Sequence, residues 1–372
     1  MSQMELRSVP ALKKEIIRLA LAAAVQLLFA LWFYAFCCGL VSLGPLRLPY
    51  GVKGYEFGGM VCLLTAFMPV RTVWNLNEVV DEAKKHEPLD FDALLPRMAE
   101  ICRHAGVAYT LYEVPNDTRP EAGAVAQHLA QDPAITHVAM VHGETTSGIL
   151  NDVAAVGQVA KAAGKTFIVD AMSTFGGIDI PLADWGIDFL VSSANKCIQG
   201  VPGFSFILAN REKLAACAGQ ARSLSLDLYD QWKGMEDGGG KWRFTSPTHV
   251  VLAFDQALKE LEAEGGIPAR HARYDENQRL LAENFQALGF RPYLDPAVQG
   301  PIITSFCYPE GAMFTFDQMY HYIKDRGYVL YPGKVMEADT FRAGNIGEIY
   351  PEDILKLSAI LADFLKEKEA AK

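Results

Sequence analysis

Three short apolar runs in the middle of the chain, each followed by polar or reactive residues, predict three buried strands. They are residues 137–141 (HVAMV), 166–170 (TFIVD) and 188–191 (DFLV). Between the first two, Asn151 is predicted to cap a helix that continues to Ala163. Strands separated by helices favour a largely parallel sheet, and ligands of such sheets bind beyond the carboxyl ends of the strands. The polar residues that follow the three runs are therefore the first candidates for a functional site.

Helical and strand-like periodicity continues on both sides of these runs. In residues 121–130 the apolar positions recur at i, i+3, i+4 and i+7, which is one face of an amphipathic helix. Further helices are predicted at 98–105, 249–264, 270–288 and 316–325, and further strands at 108–114, 204–209 (antiparallel) and 301–307. The last helix is predicted to begin at Pro351, because proline and the acids after it suit a first helical turn. Its buried face is predicted to consist of Ile354, Leu357, Leu361 and Phe364.

This succession of elements predicts an α/β protein with two domains after residue 95. A large domain, residues 96–288, carries a mostly parallel central sheet flanked by helices, and a smaller α+β domain, residues 289–372, follows it. A chain of 372 residues is long enough to bury a large core and to divide in this way.

Residues 1–95 differ from the rest of the chain in composition. Residues 19–46 contain no Asp, Glu, Lys or Arg over 28 positions, more than the roughly 20 residues that cross a bilayer. Basic residues precede this run and predict an N-terminus on the inner side of a membrane. A second uncharged run, 57–70, has only 14 residues, so it is a second crossing, a re-entrant segment or part of a core. The alternative for both runs is a buried helix or strand pair of a soluble domain.

The overall charge and the cysteine pattern narrow the classes of function. A net charge of −10 and a pI near 5.4, without a basic cluster interleaved with aromatics, argue against a nucleic-acid surface. Seven cysteines without CxxC spacing suit a reducing cytoplasm, and Cys197 is interpreted as a packing residue. The sequence has no His, Cys and Asp cluster with metal-ligand spacing and no Ser-His-Asp pattern.

Lys196 is the residue whose setting points most directly to chemistry. It follows the third strand and lies between the small residues 192–195 and the Gly- and Pro-containing segment 200–203, so its amine has room for a ligand. A lysine amine forms an imine with an aldehyde cofactor, and a carboxylate keeps the pyridine nitrogen of pyridoxal phosphate protonated. Asp170 supplies such a carboxylate 26 positions earlier, at the end of the second strand. The hydroxyl of Thr145 can hydrogen-bond the phenolic oxygen of the same ring.

Three segments around these residues resemble one protein family. The segments HGETTSG (142–148), FIVDAMSTFGG (167–177) and SSANKCIQGVPG (192–203) are similar to the fold-type I pyridoxal-phosphate aminotransferases, as is the spacing of Asp170 and Lys196. Within that family they resemble enzymes that move an amino group from 2-aminoethylphosphonate to pyruvate. Enzymes of the alanine:glyoxylate or serine:glyoxylate type share the arrangement and are the alternative. The resemblance implies a transaminase that uses pyridoxal phosphate, an amino donor and a 2-oxo acid.

The resemblance also implies roles for single residues near the strands. Lys196 is the catalytic lysine, Asp170 the partner of the ring nitrogen, and Thr145 a residue that faces the cofactor. His142 either lies against the cofactor ring or packs in the core. These roles would place the cofactor at the carboxyl edge of the sheet.

Two further residues with implied roles lie in distant segments. Thr245 belongs to a loop, residues 237–248, that in the family reaches into the partner subunit, where the matching residue binds the cofactor phosphate. Arg342 lies in FRAGNIG (341–347), which resembles the family's carboxylate-binding segment. A site shared between subunits implies an obligate homodimer.

The resemblance begins near Arg97 and covers about three quarters of the chain. In residues 1–95 the family's Thr-Pro-Gly-Pro start is absent, and so is the Gly-Ser-Gly loop that opens its phosphate-binding helix. A gene fusion or a misread frame that ends near residues 95–97 is one hypothesis for this departure. An inactive or membrane-anchored chain that cannot hold the cofactor is the alternative from another class of function. For an active enzyme, the catalytic part is expected in the cytoplasm, where the cofactor is supplied.

Overall fold

The computed structural model describes residues 97–333, 335 and 338–370, which belong to one compact unit, Arg97–Lys372. Its helices are α1 (Arg97–Ala105), α2 (Ala122–Gln131), α3 (Val153–Ala162), α4 (Arg211–Ala215), α5 (Leu228–Asp237), α6 (Thr248–Glu264), α7 (Gly266–Ala287), α8 (Phe316–Lys324) and α9 (Pro351–Ala370). Its strands are β1 (His137–Val141), β2 (Thr166–Asp170), β3 (Phe189–Ser193), β4 (Ser205–Ala209), β5 (Arg291–Pro292), β6 (Ile303–Cys307), β7 (Tyr331–Pro332) and β8 (Thr340–Gly344).

The first four strands form one sheet in the order β1-β2-β3-β4. β1, β2 and β3 run parallel, and β4 is antiparallel to β3. Parallel neighbours need crossover connections, which α3 supplies between β1 and β2. Phe167 and Val169 of β2 are fully buried against Val156 and Ala160 of α3, so the helix covers one face of the sheet. This mostly parallel sheet with a covering helix confirms the predicted α/β class.

The other four strands form an antiparallel sheet in the order β5-β6-β8-β7. Its core is aromatic: the rings of Phe306 and Phe341 stack with centroids 5.7 Å apart, and Phe285 of α7 packs on both. α9 begins at Pro351, as predicted, and the apolar residues predicted for its inner face are all buried. β8 carries Arg342 at the centre of this sheet.

Two local predictions are wrong. Residues 107–115 contain no strand, although 108–114 has the composition of one. β propensity produces a strand only where a neighbouring strand supplies ladder hydrogen bonds, and none of the described strands pairs with this segment. Helix α3 is capped by Asp152, whose carboxylate accepts a hydrogen bond from the N–H of Ala155 at 3.0 Å. Asn151 instead donates its side-chain amide to a carbonyl at the end of β1, and so closes the turn after that strand.

The N-terminal segment 1–95 and its candidate membrane span, 19–46, lie outside the described residues. Within the ranges that the structure does describe, no helix combines the length and the hydropathy needed to span a bilayer. The boundary between a large and a small domain at residues 288 and 289 stays a prediction. At that point α7 ends at Ala287 and β5 begins at Arg291.

Candidate active site

The carboxyl ends of β1, β2 and β3 meet at one edge of the first sheet. The register pairs Val141 with Asp170, and Asp170 with Val191. The N–H of His142 extends this pairing by donating to the Asp170 carbonyl at 2.8 Å. The turn after β1, the end of β2 and residues 192–196 are therefore brought to the same edge, as expected for the ligand site of a parallel sheet.

Lys196 lies in a tight loop directly after β3. The N–H of Gln199 donates to the Lys196 carbonyl at 2.7 Å, and the N–H of Gly200 donates to the Ala194 carbonyl at 2.9 Å. A Cβ at position 200 would lie 2.7 Å from that Ala194 oxygen, so the loop requires glycine there. The Lys196 side chain is half-buried and forms no hydrogen bond or ion pair with the described residues. Its amine is therefore free, within this part of the chain, to react with a ligand.

Asp170 is the last residue of β2 and is half-buried. One carboxylate oxygen accepts a hydrogen bond from the N–H of Met172 at 2.9 Å, which fixes the orientation of the side chain. The second oxygen has no hydrogen-bond partner among residues 97–333, 335 and 338–370. Asp170 therefore presents an oriented acceptor of the kind that a protonated ring nitrogen requires.

A second carboxyl group, that of Glu144, lies in the turn after β1. Burial, and next the negative charge of Asp170, raise the pKa of Glu144 above its ordinary value, while a hydrogen bond from Thr146 acts against this rise. Sequence reasoning missed this neighbour of Asp170 because residues 144–148 look like a polar turn. The available signal was an acidic residue after a strand that ends at the same edge. Two neighbouring carboxyl groups favour a positively charged ligand atom beside them.

His142 is a core residue at this edge. Its Nδ1 lies 3.0 Å from Oγ1 of Thr174, and its ring meets Trp185 in a T-shaped contact with centroids 5.7 Å apart. Burial, followed by the positive charge of Arg119, lowers the pKa of His142 to about 4, so the imidazole is neutral at pH 7. These contacts are those of a packing residue, which is one of the two roles predicted for His142. A contact between His142 and a cofactor stays a prediction.

Cys197, the neighbour of Lys196, is fully buried. Its thiol donates to the Ser173 carbonyl at 3.1 Å. Burial raises the pKa of Cys197 to about 12, although nearby cations, first Arg270 and then Lys196, act in the other direction. A thiol with such a pKa is not a nucleophile at neutral pH, which supports the interpretation of Cys197 as a packing residue.

Arg342 connects β8 to the turn after β1. Its Nη1 donates to the Thr145 carbonyl at 2.6 Å and its Nε to the Pro332 carbonyl at 3.0 Å. Arg342 is only 7% exposed, and no carboxylate of the described residues forms an ion pair with it. Burial lowers the pKa of the guanidinium from its ordinary value, and Tyr331 acts against this change. A desolvated cation surrounded by carbonyl groups is a strong site for a carboxylate ligand.

The structure brings Arg342 and Thr145 together but does not bring Thr245 to them. Thr245 is exposed in the loop between α5 and α6, and its side chain makes no hydrogen bond with the described residues. Arg243 holds this loop through an ion pair with Asp230 of α5, with nitrogen and oxygen 3.0 Å apart. Thr245 is thus presented to the surface of a single chain.

Ser193, the last residue of β3, is a second residue that sequence reasoning missed. Its hydroxyl is buried and has no hydrogen-bond partner within the described part of the chain. Since a buried hydroxyl without a partner is costly, this group is suited to a bound polar ligand three residues ahead of Lys196. With the Lys196 amine and the second oxygen of Asp170, it fits the donors and acceptors of pyridoxal phosphate. The available signal was a small polar residue that ends a buried strand.

Comparisons with known proteins agree with this fold and identify the family of the chain. The sequence model of the aminotransferase class-V family matches residues 87–330. The solved alanine–glyoxylate aminotransferase of Nostoc sp. shares the fold, with a TM-score of 0.66 at 20% identity over 72% of each chain. The chain belongs to the class-V aminotransferase family, whose members generally depend on pyridoxal phosphate.

The curated relatives are more specific. The 2-aminoethylphosphonate–pyruvate transaminase of Klebsiella pneumoniae is 53% identical over 294 residues, which cover 79% of this chain and 80% of that protein. The protein of the same name from Salmonella paratyphi B is 56% identical over 261 residues, covering 70% of this chain and 71% of that protein. The predicted resemblance to aminotransferases is thereby confirmed.

Proposed function

We propose that this chain is a pyridoxal-phosphate-dependent transaminase that moves the amino group of 2-aminoethylphosphonate to pyruvate and so produces phosphonoacetaldehyde and L-alanine. The observation that carries this choice of substrates is the 53% identity over 294 residues with a protein named for the reaction. The site supports the class of reaction, because it combines a lysine amine that has no partner among the described residues, an oriented carboxylate and a desolvated guanidinium.

Three residues at the sheet edge would hold the cofactor. The second oxygen of Asp170 would accept a hydrogen bond from the ring nitrogen, the Thr145 hydroxyl would bind the phenolic oxygen, and the buried Ser193 hydroxyl would bind a polar group of the cofactor. When bound, pyridoxal phosphate supplies an electron-withdrawing ring that stabilises negative charge on the carbon next to the amino group.

Two residues would act on the substrates. The Lys196 amine takes up and returns the proton at the carbon that bears the amino group, which is general acid–base catalysis by a positioned side chain. Arg342 binds the carboxylate of pyruvate through charge-assisted hydrogen bonds. Because Arg342 is tied to the Thr145 carbonyl, the bound carboxylate stays beside the turn that faces the cofactor.

Turnover by the purified chain tests the proposed reaction. With pyridoxal phosphate, 2-aminoethylphosphonate and pyruvate, we expect L-alanine and phosphonoacetaldehyde in equal amounts. Parallel reactions with L-serine or L-alanine and glyoxylate test the alternative. Turnover of these pairs without turnover of the phosphonate would favour the alanine:glyoxylate or serine:glyoxylate type. A colourless protein without any turnover would favour the chain that cannot hold its cofactor.

A homodimer with shared sites is part of the proposal. Its support is the exposed position of Thr245 in a loop held by Arg243, where the Thr245 side chain makes no hydrogen bond with the described residues. Coexpression of a Lys196→Ala chain with a Thr245→Ala chain tests it. Each variant alone should be nearly inactive, but a mixed dimer would have one intact site, so about a quarter of the wild-type activity should return. Activity no higher than that of the single variants would contradict sharing.

The cytoplasm is the proposed compartment of the catalytic part, residues 97–372. Support comes from the cysteine pattern and from the supply of cofactor. After cell lysis without detergent, we expect transaminase activity in the supernatant. Activity that sediments with membranes and is released by detergent would favour a tether through residues 19–46.

A further inference from the structure

A carboxylate at the corner between α6 and α7 bridges two arginines. Glu264 ends α6, and Gly265 and Gly266, both with left-handed backbone, turn the chain into α7. Nε and Nη2 of Arg270 lie 2.8 and 2.7 Å from one Glu264 oxygen. Nε of Arg273 lies 2.8 Å from the other oxygen. Burial acts to raise the pKa of Glu264, but the hydrogen bonds from Arg273 and Arg270 outweigh it and hold this pKa below its ordinary value.

The remaining arm of Arg270 binds the loop that carries Lys196. Nη1 donates to the carbonyl of Cys197 at 2.8 Å and to the carbonyl of Ile198 at 3.3 Å. Arg270 is 2% exposed, so these contacts are shielded from water. Because Cys197 directly follows Lys196, Arg270 restrains the backbone next to the reactive amine.

The remaining arm of Arg273 binds the segment that follows β8. Nη1 donates to the carbonyls of Gly347 and Ile349, both at 2.9 Å. Asn277, one turn further along α7, donates to the same Ile349 carbonyl at 2.7 Å. Since β8 carries Arg342, Arg273 restrains the chain where it leaves the strand with the carboxylate site.

Gln199 provides a second link between the same two segments. Its side-chain amide nitrogen donates to the Tyr274 hydroxyl at 2.8 Å and to the Gly347 carbonyl at 3.0 Å. Gln199 has a φ of 65°, a conformation that disfavours residues with a Cβ. Glycine would adopt this backbone without strain but could not make either contact. The contacts of the side chain therefore account for a glutamine at this position.

We infer that Glu264, Arg270, Arg273 and Gln199 are positioning residues that fix the Lys196 amine relative to the Arg342 guanidinium. The inference rests on the proposed function, which gives Lys196 and Arg342 their roles. Buried ion pairs add little net stability compared with apolar packing, so stability alone does not account for a bridge that holds both loops. Misplacement of a reacting group by about 1 Å can slow a reaction by about a hundredfold. A bridge that holds both loops would therefore support catalysis by keeping the Lys196 amine and the Arg342 guanidinium in place.

Conservative substitutions separate the two arms of the bridge. Arg270→Lys keeps the positive charge but cannot span both Glu264 and the loop carbonyls, so we expect kcat to fall about tenfold with little change in the KM for pyruvate. Arg273→Lys should raise the KM for pyruvate about tenfold with a smaller change in kcat. A purely structural role would instead lower the amount of active protein in both variants without separating kcat from KM. That result would overturn the inference.

Arg279→Lys is the matched control. Arg279 lies on the same helix and also bridges two carboxylates, those of Glu276 and Glu283, each at 2.8 Å, but on an exposed face. We expect wild-type kcat and KM from this control. A fall in kcat as large as that of Arg270→Lys would overturn the inference, because it would show that any such substitution on α7 lowers activity.

Gln199→Gly tests the second link without a folding defect. Relief of the left-handed backbone offsets the lost hydrogen bonds, so we expect a Tm near that of the wild type together with a several-fold higher KM for pyruvate. Unchanged kinetics in this variant would show that Gln199 has no positioning role and would remove the second link.

Hydrogen exchange of the cofactor-free chain provides a readout that needs no turnover. Glu264→Gln should speed amide exchange at residues 197–200 and also at 347–349, because the Glu264 carboxylate joins the two arginines that hold these segments. Exchange that increases only at 197–200 would overturn the coupling. If the wild-type chain turns over none of the proposed substrates, the proposed function fails, and the exchange experiment still decides whether the bridge couples the segments.

Discussion

Arg270 and Arg342 are both nearly buried, at 2% and 7% exposure, but their charges are compensated in different ways. Arg270 meets the Glu264 carboxylate through two nitrogens and reaches backbone carbonyls with the third. Arg342 meets the carbonyls of Pro332 and Thr145 and, among the described residues, no carboxylate. A buried cation with its own carboxylate belongs to the framework, whereas one whose partners among the described residues are carbonyl groups and the Tyr331 ring is prepared for an anionic ligand.

The largest expected effect is on the framework arginine. Arg270→Gln removes one cation from the bridge and leaves the carbonyls of the Lys196 loop without their donor, so we expect a loss of about 3 to 5 kcal/mol in the free energy of unfolding. Urea denaturation of the cofactor-free chain measures it. Arg342→Gln is the matched control and should lose less, about 1 to 2 kcal/mol, because it weakens the hydrogen bonds to two carbonyls but leaves no carboxylate of the described residues unpaired. Equal losses of unfolding free energy in the two variants would contradict the distinction between a framework arginine and a ligand-binding arginine.

Arg342 should show the opposite pattern, with a large effect on substrate and a small one on stability. Arg342→Gln removes the charge but keeps a donor, so we expect the KM for pyruvate to rise about 30- to 100-fold, or roughly 2 to 3 kcal/mol of binding free energy. Steady-state kinetics at saturating amino donor measures this change. A KM close to that of the wild type would mean that the carboxylate binds elsewhere.

Acidification should weaken the Glu264 region selectively. Since the folded-state pKa of Glu264 is below its ordinary value of 4.5, its ionised form contributes stability above pH 4.5 that is lost as the pH falls through the lower folded pKa. We expect the Tm values of wild type and Glu264→Gln to differ near pH 7 and to converge in strong acid. His142, whose pKa is lowered from 6.5 to about 4, destabilises both proteins below pH 6.5 and cancels in the difference. A Tm difference that persists in strong acid would contradict the assignment of the carboxylate.

The smallest effect is expected at the exposed bridge of α7. Arg279 has a side chain that is 52% exposed and pairs with Glu276 and Glu283 in water. Exposed ion pairs contribute little, so Arg279→Gln should leave the Tm within experimental error. A loss comparable to that of Arg270→Gln would show that burial does not separate the two bridges.

The edge of the first sheet could be predicted from the sequence because local patterns determine it. Strands 137–141 and 166–170 have the predicted bounds, since apolar runs that end in polar residues are a local signal. Parallel strands then bring Asp170 and the Lys196 loop to one edge without further information. The same argument predicts that the polar turn after β1 lies at this edge.

The bridge between the two segments could not be predicted. Arg270 contacts a loop 73 residues earlier in the chain, and nothing in its local sequence distinguishes it from the exposed Arg279. The wrong strand at 108–114 has the same origin, because propensity is local whereas strand pairing is not. The Ser193 hydroxyl, which has no hydrogen-bond partner among the described residues, likewise stands out only when its burial is known.

Reduction of the chain by borohydride in the presence of pyridoxal phosphate, followed by peptide mapping, tests the central claim most directly. The claim is that Lys196, beside Asp170, is the residue that binds the aldehyde of the cofactor. We predict a yellow protein, one dominant label on the peptide that contains Lys196, and the loss of this label in Lys196→Ala. A colourless protein, or a label spread over exposed lysines with none on Lys196, would contradict the claim.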